Sequence, residues 1–340
     1  MKTLIHGLLF EELAVALKEL GAPAFRAKQL WHWLYVQRAN SWDAMKNLPV
    51  DLRVKLAEKF DLEPVKQLEI TGTEGETRKI LAGLRDGEYV EEVLLPSGDR
   101  RTVCISSQVG CKFACAFCAS GQAGFRRNLT AGEIVGEALL AAAAWNDRPG
   151  NIVFMGVGEP LDNYDEVLRA IRILNHAEGL AIGARRITLS TCGVIPGIQR
   201  LANEGLQIEL SVSLHAPDDA TRARLMPVNH RWPIAEILAA CKAYAEKTKR
   251  IITFEYTLVR GQNDSAAQAE QLARLLAPLP ARVNLIPLSP VEGFDGEPCA
   301  PETARQFIRT LERAGINATL RDSQGSRIKA ACGQLRIRHL

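Results

Sequence analysis

The sequence has no apolar run of the roughly 18 residues that a membrane-spanning helix needs. Its most apolar stretch, AGEIVGEALLAAAAW, is shorter and carries two glutamates. The opening segment MKTLIHGLLFEELAVALKEL has acidic residues inside its apolar pattern and lacks the basic start and small-residue cleavage site of a signal peptide. A soluble cytoplasmic protein with no membrane partner is expected. A strong charge of either sign is also missing: 42 Lys and Arg stand against 39 Asp and Glu, and the net charge of +3 gives only a mild bias toward an anionic partner. There is no internal repeat and no long low-complexity linker. Structural disulfides are not expected either, because a reducing cytosol keeps thiols free; clustered spacing among the eight cysteines therefore points to metal or catalysis.

What is present is enough apolar material for a large core, with 340 residues at 47% hydrophobic content, and two folded units are the default expectation. Residues 1–60 read as a small helical domain: an amphipathic Glu11–Leu20 segment, a break at Gly21-Ala22-Pro23, then AKQLWHWLYVQ at helical spacing. Residues 61–100 alternate apolar and polar positions between Thr-Gly, Asp-Gly and Ser-Gly pairs, the pattern of an antiparallel meander. From residue 101 to 340, strand-like runs (NIVFMGVGEP, RRITLSTCG, QIELSVSLHAP, IITFEYTLV, ARVNLIPLSP, NATLRDS) alternate with helical ones such as YDEVLRAIRILN and PETARQFIRTLERAG. That alternation predicts successive βαβ units around a parallel sheet, with ligands at the C-terminal ends of the strands.

The segment GCKFACAFCASGQAGF places Cys111, Cys115 and Cys118 in one short loop. Three thiolates can hold three irons of a [4Fe-4S] cube and leave the fourth iron open to a small ligand. An open iron can take the amino and carboxylate groups of S-adenosylmethionine (SAM), and electron transfer then cleaves the sulfonium to a deoxyadenosyl radical. Phe117, beside the third cysteine, is placed to shield such a cluster. The alternative is a structural zinc, but the spacing is unusual for zinc and the loop holds no histidine as a fourth ligand.

The order of C-x-x-x-C-x-x-C, MGVGEP, LSTCG and SLHAP on successive strand ends, with GAPAFRAKQLWHWLY near the start and AACGQL near the end, resembles the RlmN/Cfr family of radical SAM RNA methyltransferases over nearly the whole chain. The resemblance implies an α/β fold: a partial (βα)6 TIM-like radical SAM barrel with an N-terminal helical accessory domain and a small antiparallel β extension. It implies that Gly158, Glu159, Ser190, Ser213, Leu214 and His215 contact SAM. It also carries Ser289 into that set, although the family usually has Asn-Pro where this chain has Ser289-Pro290. A serine offers one hydroxyl where an amide offers a separate donor and acceptor.

Adenine C2 and C8 are electron-poor carbons that cannot attack a SAM methyl group directly. By resemblance, Cys332 in AACGQL carries the methyl group first, and two SAM molecules are used per turnover. One methylates Cys332; the other yields the radical that activates that methyl group for addition to the adenine. Cys104, in TVCISSQ, matches the cysteine that releases the product by forming a transient disulfide with Cys332. Glu91 in YVEEVLLP matches the proton acceptor. Its neighbour Glu92 competes for that role, since strand alternation turns only one of the two inward. Cys192, Cys241 and Cys299 match no catalytic position: Cys241 reads as core, and Cys192 as a small filler where the family more often has serine.

A base that reacts at carbon must leave its stack. Arg126, Arg127 and Asn128 near the cysteine loop, Arg26, Lys28 and Arg38 with Trp31, Trp33 and Tyr35 in the helical unit, and the Arg336-Ile337-Arg338-His339 tail are candidate RNA contacts. The resemblance implies C2 methylation of an adenosine in large-subunit ribosomal RNA, with transfer RNA as a second substrate. It further implies a monomer served by a cytosolic electron donor such as flavodoxin or ferredoxin. The rivals are C8 methylation or another RNA, and a radical SAM enzyme for a small molecule; the last would not need Cys104 and Cys332.

Overall fold

The computed structural model describes residues 2–321 together with 328, 330, 334 and 335. Cys332 and the Arg336–His339 tail lie outside the described residues. In chain order the strands are β1 (Thr3–Leu4), β2 (Phe60–Asp61), β3 (Lys66–Thr71), β4 (Arg78–Gly83), β5 (Tyr89–Ser97), β6 (Arg100–Cys104), β7 (Gln108–Gly110), β8 (Phe125–Asn128), β9 (Asn151–Phe154), β10 (Ile187–Thr191), β11 (Glu209–Ser213), β12 (Ile252–Leu258), β13 (Ala281–Pro287) and β14 (Asn317–Leu320). The helices are α1 (Phe10–Glu19), α2 (Arg26–Tyr35), α3 (Val50–Lys59), α4 (Ala119–Gln122), α5 (Ala131–Trp145), α6 (Tyr164–Asn175), α7 (Ile195–Leu201), α8 (Asp219–Leu225), α9 (Ile234–Thr248), α10 (Ala266–Leu276) and α11 (Pro301–Arg313).

One sheet of ten strands dominates, in the order β14-β13-β12-β11-β10-β9-β6-β5-β4-β3. From β6 through β9 to β14 all neighbours are parallel. Each strand from β6 to β13 on this run is followed by a helix before the next strand begins, which gives six βα units and a closing strand. Such a layout buries both faces of the sheet, and accordingly all seven residues of β12 are buried. α6 spans the YDEVLRAIRILN pattern and buries Val167, Ala170, Ile171 and Leu174, one stripe at helical spacing.

The β3–β5 meander is not a separate layer. It continues the same sheet through the antiparallel pairing of β5 with β6, in which Val93 faces Cys104. The N-terminal helices likewise share the main core: Leu13, Leu17, Leu30 and Trp31 belong to the same apolar cluster as Ile134 and Ile171. Trp31 packs against His176 at 4.8 Å between ring centres, and Arg38 donates to the Ala142 carbonyl of α5 at 2.7 Å. Among the described residues no helix is long and apolar enough to cross a membrane.

Candidate active site

Because β6 and β9–β13 run parallel, their C-terminal ends meet on one side of the sheet, and the candidate residues lie there. The three-cysteine loop is clasped at its base by the antiparallel β7–β8 pair. Gly110 opens it at φ +76°, where a side chain would collide with the Gly124 carbonyl, so only glycine fits. Cys111 N–H donates to the Gly124 carbonyl at 3.1 Å, Cys118 N–H to Cys115 at 3.1 Å, and Ala116 N–H to Leu225 at the end of α8 at 2.9 Å. These bonds hold Cys111, Cys115 and Cys118 against one cavity, which is also lined by Phe113, Phe117, Gly158, Glu159, Ser190, Cys192, Ser213, His215, Glu255, Ser289 and Arg321.

Burial pushes the Cys111 thiol up to about 12, and it pushes Cys115 well above the ordinary thiol value, with the neighbouring Cys118 and Cys111 adding to the shift. Thiols close enough to raise one another form a soft donor set that a cationic iron centre would stabilise as thiolates. The three cysteines, walled by Phe113 and Phe117, therefore fit an iron–sulfur cluster.

Gly158 lines the cavity at φ +104°, and a Cβ there would lie 2.5 Å from the Gln108 side chain, so the position takes only glycine. Burial raises the Glu159 carboxyl, against the N–H groups of Cys192 (2.7 Å to Oε2) and Leu161 (3.0 Å to Oε1), which its oxygens accept. Those bonds join the β9 and β10 loops. His215 adopts φ +56°, strained for a residue with a side chain. Asn263 holds it there by donating to its carbonyl at 2.8 Å. Its Nδ1 accepts the Thr257 N–H at 2.8 Å, and burial, followed by the charge of Arg222, depresses its pKa to about 3. The ring is therefore neutral with its proton on Nε2, a hydrogen-bond donor, and Phe117 packs edge-on against it at 4.8 Å.

Leu214 does not join this lining. Its side chain is fully buried in the main core, and its backbone N–H and carbonyl are taken by Glu255 and Arg222. Cys192, expected as a filler, does line the cavity, whereas Cys241 is core as expected.

A second cavity, lined by Val93, Cys104, Ala330 and Leu335, meets the first at Met155, Ile286, Ser289 and Arg321, which line both. On β5 the two glutamates take opposite faces, and both are buried, at 2% and 0% exposure, so neither is a solvated strand carboxylate. Glu91 shares the face of Val93 and Cys104 and pairs with Lys79 at 2.8 Å. Glu92 points the other way, toward Glu137 of α5. Burial raises both carboxyls well above the usual range, and the charge of Glu137 raises Glu92 further.

Sequence reasoning missed Lys79, Arg222, Glu255 and Arg321. Glu255 accepts from Asn284 at 3.1 Å, and its Oε2 lies 3.8 Å from Arg321. The signal for it was a carboxylate inside the apolar run IITFEYTLV. The proposed aromatic RNA contacts need correction. Trp31 and Tyr35 are each 1% exposed and pack in the core, so neither is free to stack on a base. Trp33 is half-buried and bonds Asn47. Lys28 pairs with Glu178, Arg126 with Glu88, and Arg127 with Asp86 and Glu133, so these cations are already engaged on the surface.

Known proteins share the sequence and fold of this chain. Residues 105–275 match the radical SAM superfamily, and residues 5–62 match the ribosomal RNA large subunit methyltransferase N-terminal domain. A crystal structure of a radical SAM methyltransferase from Sphaerobacter thermophilus superposes with a TM-score of 0.95 at 47% identity, covering 98% of this chain and 99% of that one. The fold is that of a radical SAM enzyme. A probable dual-specificity RNA methyltransferase RlmN of Moorella thermoacetica is 48% identical over 98% of this chain and 97% of its own length; that of Symbiobacterium thermophilum is 48% identical over 98% and 91%. The chain belongs to the RlmN family of radical SAM RNA methyltransferases.

Proposed function

We propose that this enzyme methylates C2 of an adenosine in large-subunit ribosomal RNA, and in transfer RNA as well, in keeping with the dual specificity named for its relatives. The observation that carries this reading is the meeting of two cavities: one holds the three-cysteine loop with Glu159, Ser190, Ser213 and His215, the other holds Cys104, and they share Met155, Ile286, Ser289 and Arg321. In this reading Cys111, Cys115 and Cys118 hold a [4Fe-4S] cluster, which together with SAM supplies a deoxyadenosyl radical. Gly158, Glu159, Ser190, Ser213, His215 and Ser289 bind SAM, two molecules per turnover, and Leu214 acts only by fixing the backbone between Ser213 and His215. Cys332 carries the methyl group, Glu91 takes the proton from the adenine carbon, and Cys104 closes a transient disulfide that frees the product. The enzyme works as a cytoplasmic monomer fed by a flavodoxin or ferredoxin. Its 1–60 unit assists RNA binding, 61–100 extends the sheet, and 101–340 forms the reactive core.

Two measurements test this. Mass spectrometry of protein from SAM-replete cells is expected to find a methyl group on Cys332. Nucleoside analysis of RNA from a deletion strain is expected to lose 2-methyladenosine from both RNAs. A bare Cys332 thiol would overturn the two-step route, and loss of 8-methyladenosine instead would overturn the assignment to C2.

A further inference from the structure

We propose that Arg222 is the fixed counter-charge of the thiolate cluster, a buried cation that eases acceptance of the electron on which the reaction depends. The inference rests on the reading of Cys111, Cys115 and Cys118 as cluster ligands. Arg222 lies on α8 and is 0% exposed. All its hydrogen bonds go to neutral acceptors: Nε to the Leu214 carbonyl at 3.1 Å, Nη1 to Asn229 Oδ1 at 3.0 Å and the Trp232 carbonyl at 3.3 Å, and Nη2 to the carbonyls of Cys192 at 2.7 Å and Ser213 at 3.1 Å. Among the described residues no carboxylate comes within ion-pair distance of it. Asp219 acts only from further off, and its Oδ1 already accepts the Ile234 N–H at 2.9 Å.

A guanidinium stays charged at any working pH, and burying such a charge with no ion partner is strongly unfavourable. The site itself supplies the missing negative charge. The Ala116 bond to Leu225 fixes the cysteine loop to the same helix, and Nη2 reaches the carbonyl of Cys192, which lines the cavity that the three cysteines share. Three thiolates make the cluster site anionic, and one electron from a low-potential donor adds a further negative charge. A permanent cation in a low-dielectric interior favours that added charge, while no bond of Arg222 forms or breaks.

The test is a redox titration of the anaerobically reconstituted protein, followed by electron paramagnetic resonance. Asn229→Asp puts a carboxylate beside Nη1 and neutralises the guanidinium without removing it; Arg222→Gln removes the charge; Arg222→Lys keeps it with fewer bonds. The expected result is a shift of the cluster midpoint to more negative potential in N229D and R222Q, with R222K near the parent. N229D decides alone if R222Q takes up no cluster. Unmoved potentials at the parent's iron content would overturn this inference. A parent chain that binds no cluster would overturn the reading beneath it.

Discussion

On β5 the chain places two carboxylates in succession, and the pleat sends Glu91 toward Cys104 and Glu92 into the packing under α5. The sequence leaves open which of the two faces inward because alternation gives the spacing of faces and not their identity. The pairing register supplies that identity. It also brings Lys79 onto the Glu91 face, where the two side chains meet across neighbouring strands. Breaking a buried pair by removing one partner leaves an uncompensated charge and costs about 3–5 kcal/mol. Lys79→Met is therefore expected to lower stability by about that much, and Lys79→Met with Glu91→Gln to recover most of the loss, read by denaturant unfolding of both variants. A double variant no more stable than the single one would contradict the pair. The three cysteines, Gly158 and His215 were legible because their chemistry is written in short motifs. Arg222 and Arg321 were not, because their partners come from distant strands and helices.

At the scale of elements, the contact between β5 and α5 sets a pH dependence. Glu137 accepts the Ser106 N–H with both oxygens, at 3.1 and 3.0 Å, and faces Glu92. Both carboxyls are raised above their ordinary value of 4.5, so they hold protons in the folded chain that the unfolded chain gives up. Their contribution is fully present below the ordinary carboxylate value and is lost as pH rises through the raised folded values. Glu92→Gln cannot ionise, so its thermal midpoint is expected to gain on the parent as pH rises from about 5 to 8, the range over which ordinary carboxylates are already ionised. A gap that stays constant with pH would contradict the assignment. The strands β9 to β14 and the helices α6 and α11 were readable from periodicity. Along α2 the buried residues Ala27, Leu30, Trp31, Leu34 and Tyr35 keep helical spacing, but Arg26, Lys28 and His32 among them leave open whether the aromatics face RNA or core, and the packing of Trp31 on His176 shows which.

Across the whole molecule, a single sheet ties these parts together. Its parallel run collects the loops after β6, β9, β10 and β11 at one edge, and the β5–β6 pairing sets Cys104 and Glu91 beside that edge. The meander read from the sequence as an extension is therefore a wall of the site, which only the long-range β5–β6 pairing reveals. All of this depends on the loop of Cys111, Cys115 and Cys118 holding an iron–sulfur cluster able to act on SAM. The most direct measurement is anaerobic reconstitution followed by addition of dithionite and SAM. Cluster absorbance and release of 5′-deoxyadenosine are expected, both lost in Cys118→Ala; tightly held zinc with no deoxyadenosine would rule the cluster out.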